Sequence, residues 1–310
     1  MKSLKLILAL LSLLIVTLIF TTNSNEQKLS SKPLITTSNF AIFDVIQHIG
    51  GDKIELVNII PFGVDPHSFE PTPKVVAKLE KSDFFFYSGD ILEPWADHLS
   101  LEAKGVDLSQ YVSLRKFDDE DEHEDHEDEH HHDHGAYDPH YWLDVDNMKQ
   151  IAQVITEKLS MLEPKNKHLF EKNKLAYIKS LEQLDDLYKE SLLSCKQDTI
   201  VVTHNAFSYL AQRYDFKVES LTGLSTDAQP SAKDVQHIFQ EIQDKNISVV
   251  FFENFSSSKN IQTIADDLSI EVDSLQPLGN ITADEKDQNL SYEDLMKINL
   301  EKIAKALQCN

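Results

Sequence analysis

Thirteen histidines stand in the 310-residue chain, and neutral imidazole is a nitrogen donor suited to zinc and its transition-metal neighbours. Seven of them lie outside any run: His48, His67, His98, His140, His168, His204 and His237. Three of these sit in loops that border strands or helices. His67 lies in Gly63-Val64-Asp65-Pro66-His67-Ser68-Phe69-Glu70-Pro71-Thr72-Pro73, after an apolar strand pattern at Ile54–Ile60. His140 lies in Tyr137-Asp138-Pro139-His140-Tyr141-Trp142-Leu143, and His204 follows the apolar run Thr199–Thr203 at once. In open α/β sheets, ligands bind beyond the carboxyl ends of strands. His67 and His204 both occupy such positions, one in each half of the chain, so one shared site is expected. His48 and His237 fall inside helical patterns, His98 ends one and His168 lies on a long central helix, so these four read as structural or surface residues.

The elements that must position this site follow from hydropathy. Leu34–Ser38, Ile54–Ile60 and Phe84–Tyr87 read as strands, separated by helical patterns at Phe40–Ile49 and Pro73–Lys81. The pattern restarts with strands at Thr199–Thr203, Phe216–Glu219, Ser248–Glu253 and Ile270–Ser274. Helices fall between them at Ala206–Arg213, Ser231–Asp244 and Lys259–Asp267, with a last one at Tyr292–Leu307. Alternating strands and helices imply a mostly parallel sheet covered by helices. The fold class is therefore α/β, with two similar halves. Between them, Asn147–Leu162 reads as a helix stopped at Pro164. Lys165–Leu193 then reads as a helix of about 29 residues, or ~43 Å. Tyr177, Leu181, Leu184 and Tyr188 give it an apolar stripe, and one long helix between two domains is a stiff connector.

The remaining six histidines, His123, His126, His130, His131, His132 and His134, fall in Asp118–His134 with eleven acids and no apolar residue. Such a segment has nothing to bury and reads as a loop. Acids alone would serve for solubility. Interspersed imidazoles point instead to weak, multisite metal capture, with a solvated acidic run as the plainer alternative. The chain carries 52 acids and 29 bases, a net charge of −23, which argues against nucleic acid as a partner. Met1–Phe20 has Lys2 and Lys5 before an apolar run, with Thr21–Ser24 following. That is the pattern of a secretory signal cleaved near Ser24, an uncleaved anchor being the alternative. No cysteine follows the run, so a lipid anchor is not expected. Cys195 and Cys309 are the only two cysteines. In an oxidising periplasm they are free to pair, or they remain two thiols.

The motifs together resemble the zinc-binding, ZnuA-like solute-binding proteins of bacterial ABC uptake transporters (cluster A-I). The matching pieces are Pro66-His67-Ser68-Phe69-Glu70-Pro71-Thr72-Pro73, Asp138-Pro139-His140-Tyr141-Trp142-Leu143 and Thr203-His204-Asn205-Ala206-Phe207. Gln229-Pro230-Ser231, the Val249–Glu253 strand and Gln276-Pro277-Leu278-Gly279 extend the match over nearly the whole chain after the signal. The resemblance implies two Rossmann-like domains joined by a long rigid connector helix, with metal bound between them. It implies a signal peptide at 1–24, an N-terminal lobe at 25–146 holding the 118–134 loop, connector helices at 147–194 and a C-terminal lobe at 195–310. It makes His67, His140 and His204 the ligands of one tight Zn2+, carried as cargo, with weak extra sites in the histidine-rich loop. Manganese-binding relatives have a carboxylate where His204 stands, so a third imidazole points to zinc. Many relatives place an acid near Leu275–Thr282, but that stretch holds none here. Water is then expected in the fourth position, with Glu70, Glu253 and Asp273 as weaker candidates. A monomer is implied, working in the periplasm with a membrane permease and its ATPase.

Three histidines and a water are also the donor set of catalytic zinc. The chain has no H-E-x-x-H, no G-x-S-x-G and no phosphate-cradling glycine loop, and a transport protein is expected over an enzyme, an adhesin or a zinc store. Manganese or another divalent ion is the alternative cargo. Deleting Asp118–His134 is expected to abolish the weak binding events in calorimetry and to keep one tight event. Loss of the tight event would place the ligands in the tract.

Overall fold

The computed structural model describes residues 32–99, 101, 104–116, 137–224, 230–253 and 259–310. The signal-like segment, its expected cleavage point and the histidine-rich tract lie outside the described residues. In the first lobe, β1 (Leu34–Thr37) leads to helix α1 (Phe40–Gly50), strand β2 (Glu55–Asn58), helix α2 (Pro73–Leu79) and strand β3 (Phe84–Tyr87). A short strand, β4 (Gly105–Asp107), completes a four-stranded sheet of order β2-β1-β3-β4, parallel throughout. β3 is Phe-Phe-Phe-Tyr and almost wholly buried, as a parallel strand covered on both faces must be. A two-stranded antiparallel ribbon, β5 (Arg115–Lys116) with β6 (Tyr137–Asp138), leads into and out of the tract segment.

The connector is a helical hairpin. Helix α3 (Val145–Leu162) starts two residues earlier than the sequence pattern suggests, because the Asp144 side chain accepts from the backbone N–H groups of Asp146 and Asn147 and caps it. Helix α4 (Lys167–Ser191) is shorter than expected, at 25 residues. Pro164–Asn166 is spent on a tight turn between the two helices. α4 packs on α3 and α1, and its buried stripe runs Phe170, Tyr177, Leu181, Leu184 and Tyr188.

The second lobe repeats the first. Its elements are β7 (Thr199–His204), α5 (Ser208–Tyr214), β8 (Lys217–Thr222), α6 (Ala232–Lys245), β9 (Val249–Glu253), α7 (Lys259–Leu268) and β10 (Glu271–Leu275). α8 (Ala283–Asp287) and α9 (Tyr292–Ala306) follow. The sheet order β10-β9-β7-β8, again parallel, is the first lobe's order met from the other edge. Reciprocal capping boxes start α6 at Ser231/Asp234, α8 at Thr282/Glu285 and α9 at Ser291/Asp294.

One contiguous apolar core runs from Ile35 and Phe86 through Trp142, Met148 and Leu181 to Val202 and Phe251. Leu34–Asn310 accordingly forms one compact unit, and large excursions of one lobe against the other would open this core to water. No helix among the described residues is long and apolar enough to cross a membrane.

Cys195 and Cys309 are joined by a disulfide 114 residues apart in sequence. It ties the segment after α4 to the residues after α9. For a loop of that length the chain-entropy account gives about 4–5 kcal/mol as an upper bound. Cys195→Ser with Cys309→Ser is expected to lower the urea midpoint, with a loss of unfolding free energy within that bound. An unchanged midpoint would mean that the bond constrains nothing.

Glu93 is wholly buried at the carboxyl ends of β1 and β3. Its oxygens accept from Ser38 Oγ at 2.6 Å, Ser88 N at 3.0 Å and Gly89 N at 3.1 Å. Burial drives its carboxyl up to about 8, against those hydrogen bonds. A pKa raised on folding stabilises fully below the unfolded value of about 4.3, and that contribution is lost as pH rises through the folded value. Glu93→Gln keeps the shape without the charge. The variant should therefore gain stability relative to the parent as pH rises from about 5 to about 8. Urea unfolding at several pH values would measure this, and a constant difference would refute it.

Candidate metal centre

Each of three histidines is carried by a different kind of local structure. His67 sits in the single turn Pro66–Ser68, fixed because Asp65 accepts from the His67 backbone N–H at 2.9 Å. His140 immediately precedes the turn Tyr141–Leu143, whose three side chains are buried and anchor it. Trp142 Nε1 donates to the Pro277 carbonyl at 2.8 Å, and Tyr292 Oη donates to the Trp142 carbonyl at 2.7 Å. His204 is the last residue of β7, at the edge of the crevice where strand order reverses between β7 and β9.

These three rings converge. Nε2 of His140 lies 3.3 Å from Nε2 of His67 and 3.3 Å from Nε2 of His204. Among the described residues, His67, His140 and His204 are the group whose ligand atoms could hold a metal ion, all within 4.8 Å of one another. His140 is 1% and His204 2% exposed, and His67 is half-buried. The cavity they line with Leu92, Trp142 and Pro277 holds about 20 Å³. That is room for one ion or one water.

Two buried carboxylates set the rings. Asp138 Oδ1 accepts from His140 Nδ1 at 2.8 Å and from its backbone N–H at 2.9 Å. Glu253, the last residue of β9, places Oε2 at 3.4 Å from His204 Nδ1 and accepts from the His204 backbone N–H through Oε1. A carboxylate only accepts, so the His140 Nδ1 beside Asp138 carries the proton and its Nε2 turns its lone pair to the cavity. Burial pushes the His140 imidazole below its ordinary value, against the pull of Asp138. Burial drives His67 down too, to about 2, helped by His140 and His204. Burial works to raise the Glu253 carboxyl, but His204 and Thr203 outweigh it and hold the group below the usual range. Burial thus favours the unprotonated forms of His67 and His140, which can donate electron pairs into the cavity.

The other histidines stand apart. His48 Nδ1 is 2.8 Å from the Asp44 carbonyl oxygen, and the Asp44 side-chain bond raises it to about 9. His237 faces Glu219 at 3.4 Å on the surface. His98 ends the turn Pro94–His98, and His168 lies in the first turn of α4. His123, His126, His130, His131, His132 and His134 are outside the described residues. Of the acids weighed for the fourth position, Glu70 is exposed and Asp273 pairs with Lys302 at 2.9 Å. Glu253 meets the imidazole from behind. Asn280 lines the cavity, but its Nδ2 donates to the Pro61 and Val64 carbonyls at 2.8 Å each and steadies the loop that leads to His67. Gly279 fits tightly beside it: a Cβ there would lie 3.2 Å from Trp142 and 3.4 Å from Pro66, so a neighbour would have to give by a few tenths of an ångström. The sequence marks Asp138 only as part of its motif. Its Asp-Pro-His spacing, an acid two residues before a candidate ligand, is the signal that could have named it.

Residues 35–306 match the family model described as zinc-uptake complex component A periplasmic. The chain is 32% identical to the high-affinity zinc uptake system protein ZnuA of Bacillus subtilis over 92% of its own length and 91% of the relative's. It is 30% identical to the manganese ABC transporter substrate-binding lipoprotein PsaA of Streptococcus pneumoniae, covering 99% of both chains. The crystal structure of the Zn(II)-bound ZnuA-like domain of Streptococcus pneumoniae AdcA superposes with a TM-score of 0.74 at 29% identity, over 89% of this chain and 99% of that one. The relatives are solute-binding proteins for metal transport, not enzymes. The match over nearly the whole fold, with three convergent imidazoles at its centre, places this chain in the ZnuA family as the substrate-binding protein of a metal ABC transporter.

Proposed function

We propose that this chain captures Zn2+ outside the cytoplasmic membrane, in the periplasm after export by its N-terminal signal, and delivers it to a membrane permease driven by an ATPase. His67, His140 and His204 are the ligands, water completes the coordination, and the histidine-rich tract gathers metal weakly nearby. The lobes are assigned to 25–146 and 195–310, joined by the 147–194 connector, and the working form is a monomer.

The observation that carries the metal assignment is the spacing of the donors. A tetrahedral ion with Zn–N bonds of about 2.0–2.1 Å holds its donors about 3.3 Å apart. Nε2 of His140 stands 3.3 Å from both other Nε2 atoms. All three donors are nitrogen, the set that suits zinc, whereas carboxylate-rich oxygen sites suit manganese. The B. subtilis relative named for zinc uptake supports the same reading. The S. pneumoniae relative named for manganese keeps that ion as the second reading. Glu253, the buried one of the two acids on the wall of the same cavity (the other is Asp65), is the acid that could turn toward an oxygen-seeking ion.

Irving–Williams ordering already ranks zinc above manganese at a nitrogen site, so a bare preference decides little. The test is the change on mutation. His204→Glu exchanges a nitrogen donor for a charged oxygen. It is expected to weaken zinc while manganese loses less or gains, as read by competition titration with a chromophoric chelator. His204→Ala should weaken both. An unchanged zinc-to-manganese ratio in His204→Glu, with tight binding abolished by His98→Ala or His237→Ala, would overturn the ligand assignment.

A further inference from the structure

Asp138 sets the His140 ring, yet Asp138 is itself held from the other lobe. Its Oδ1 is committed to His140. Its Oδ2 accepts from the Ser208 hydroxyl, and its backbone carbonyl accepts from Tyr209 Oη at 2.9 Å. Ser208 and Tyr209 open α5, four and five residues after His204. Arg115, paired with Asp138 across the β5–β6 ribbon, closes the arrangement. Its backbone N–H donates to Tyr209 Oη at 2.9 Å and its guanidinium donates to the Ser208 carbonyl. At the far end of α5, Arg213 donates to Asp146 at 2.8 Å and to Asp185 at 2.8 Å, with Asp144 at 3.4 Å. Asp144 caps α3. The short segment that carries His140 is therefore gripped at both ends by the helix that follows His204.

We infer that α5 is a clasp that fixes His140 against His204, and that Ser208 is the positioning residue through which the second lobe sets the Asp138 carboxylate and so the His140 lone pair. The inference rests on the proposed ligand set. Trp142 and Tyr292 anchor the backbone of the His140 segment, and the Trp142 ring meets the imidazole edge-on at 5.4 Å, but the polar contact that orients the ring is the Asp138 carboxylate. That carboxylate, 1% exposed, keeps one oxygen on His140 only while the other is engaged. Small slippage of α5 along the 138–146 segment breaks the Ser208–Asp138 bond first. The carboxylate is then free to turn, and the ring with it, before either lobe's core has opened. Capture and release of the ion are thus linked to lobe position through one hydroxyl.

The experiment is a double-mutant cycle on the full chain, with zinc affinity read by chelator competition and geometry read by the visible spectrum of the Co2+-substituted protein. Partners behind a metal-bound histidine typically contribute about 10–100-fold in affinity. Ser208→Ala is expected to weaken zinc about tenfold and to shift the Co2+ bands. Ser208→Thr, which keeps the hydroxyl, should restore both. In an Asp138→Asn background, Ser208→Ala should cost nothing further, because the carboxylate it acts through is gone. Any destabilisation common to the two backgrounds cancels in the cycle. Parent-like affinity and spectrum in Ser208→Ala, or the same loss in both backgrounds, would overturn the clasp. His140→Ala is the separate control. Tight zinc binding retained there overturns the ligand assignment, whereas binding lost there but intact in Ser208→Ala overturns the clasp alone.

Discussion

Three imidazole lone pairs held together in a small buried cavity form the constraint around which this molecule is built. Ring nitrogens 3.3 Å apart cannot each carry a proton without repulsion, and burial penalises the charged form in the same direction. The protein therefore needs a place shielded from bulk water and proton acceptors behind the rings that choose the tautomer. Asp138 and Glu253 supply the second need. The first is met by Trp142, Leu92 and Pro277 around a space of about 20 Å³. These walls come from loops of both lobes, so the site exists only while the lobes hold their distance.

That requirement explains the architecture. Two sheets of the same topology place their crevices at the carboxyl ends of their central strands. In the second lobe the crevice is filled by His204 and Glu253 from β7 and β9. In the first it is filled by Glu93, which bonds the chain leaving β1 and β3, while His67 arrives on the loop after β2. Backbone bonds then stitch the lobes near the site. Phe40 N donates to the Gly279 carbonyl at 2.8 Å, and Gly63 N donates to the Ile281 carbonyl at 2.9 Å. With a core continuous through the α3–α4 hairpin, the molecule resembles one body with a seam more than two bodies on a hinge. Motions of an ångström or two at the seam are enough to disturb a site whose donors must stay about 3.3 Å apart.

The parts legible in the sequence were those written in local pattern. β3 announces itself as four aromatic residues, and His67, His140 and His204 stand out because each borders an element and two follow a proline. β4 was invisible, since Gly105–Asp107 is three residues with one apolar side chain. The ribbon β5–β6 was invisible for a different reason: its two strands of two residues are separated by the whole acidic tract. Ser208, Tyr209 and Arg213 read as an ordinary helix face. Their meaning lies in contacts 67–71 residues away, and no periodicity encodes such a separation. Glu253 was visible as an acid at a strand end. Only geometry separates an acid that meets the cavity from one that meets the back of an imidazole.

Charge closes the argument. On the proposed ligand set, the three imidazoles are neutral and the two nearest buried acids are Asp138 and Glu253, each 1% exposed. A doubly charged cation brings the sum of this buried group to zero. A singly charged ion leaves one carboxylate uncompensated, and a triply charged ion leaves an excess positive charge. Either imbalance is costly where water cannot screen it, because an unpaired charge in the interior forfeits several kcal/mol of hydration. On that ligand set, donor type and spacing suit nitrogen-seeking, four-coordinate ions. On the same ligand set, the acids beside the rings would contribute separately, through their charge. The Asp138 carboxylate serves both functions at once: it aims His140 through one oxygen and carries half of the compensating charge.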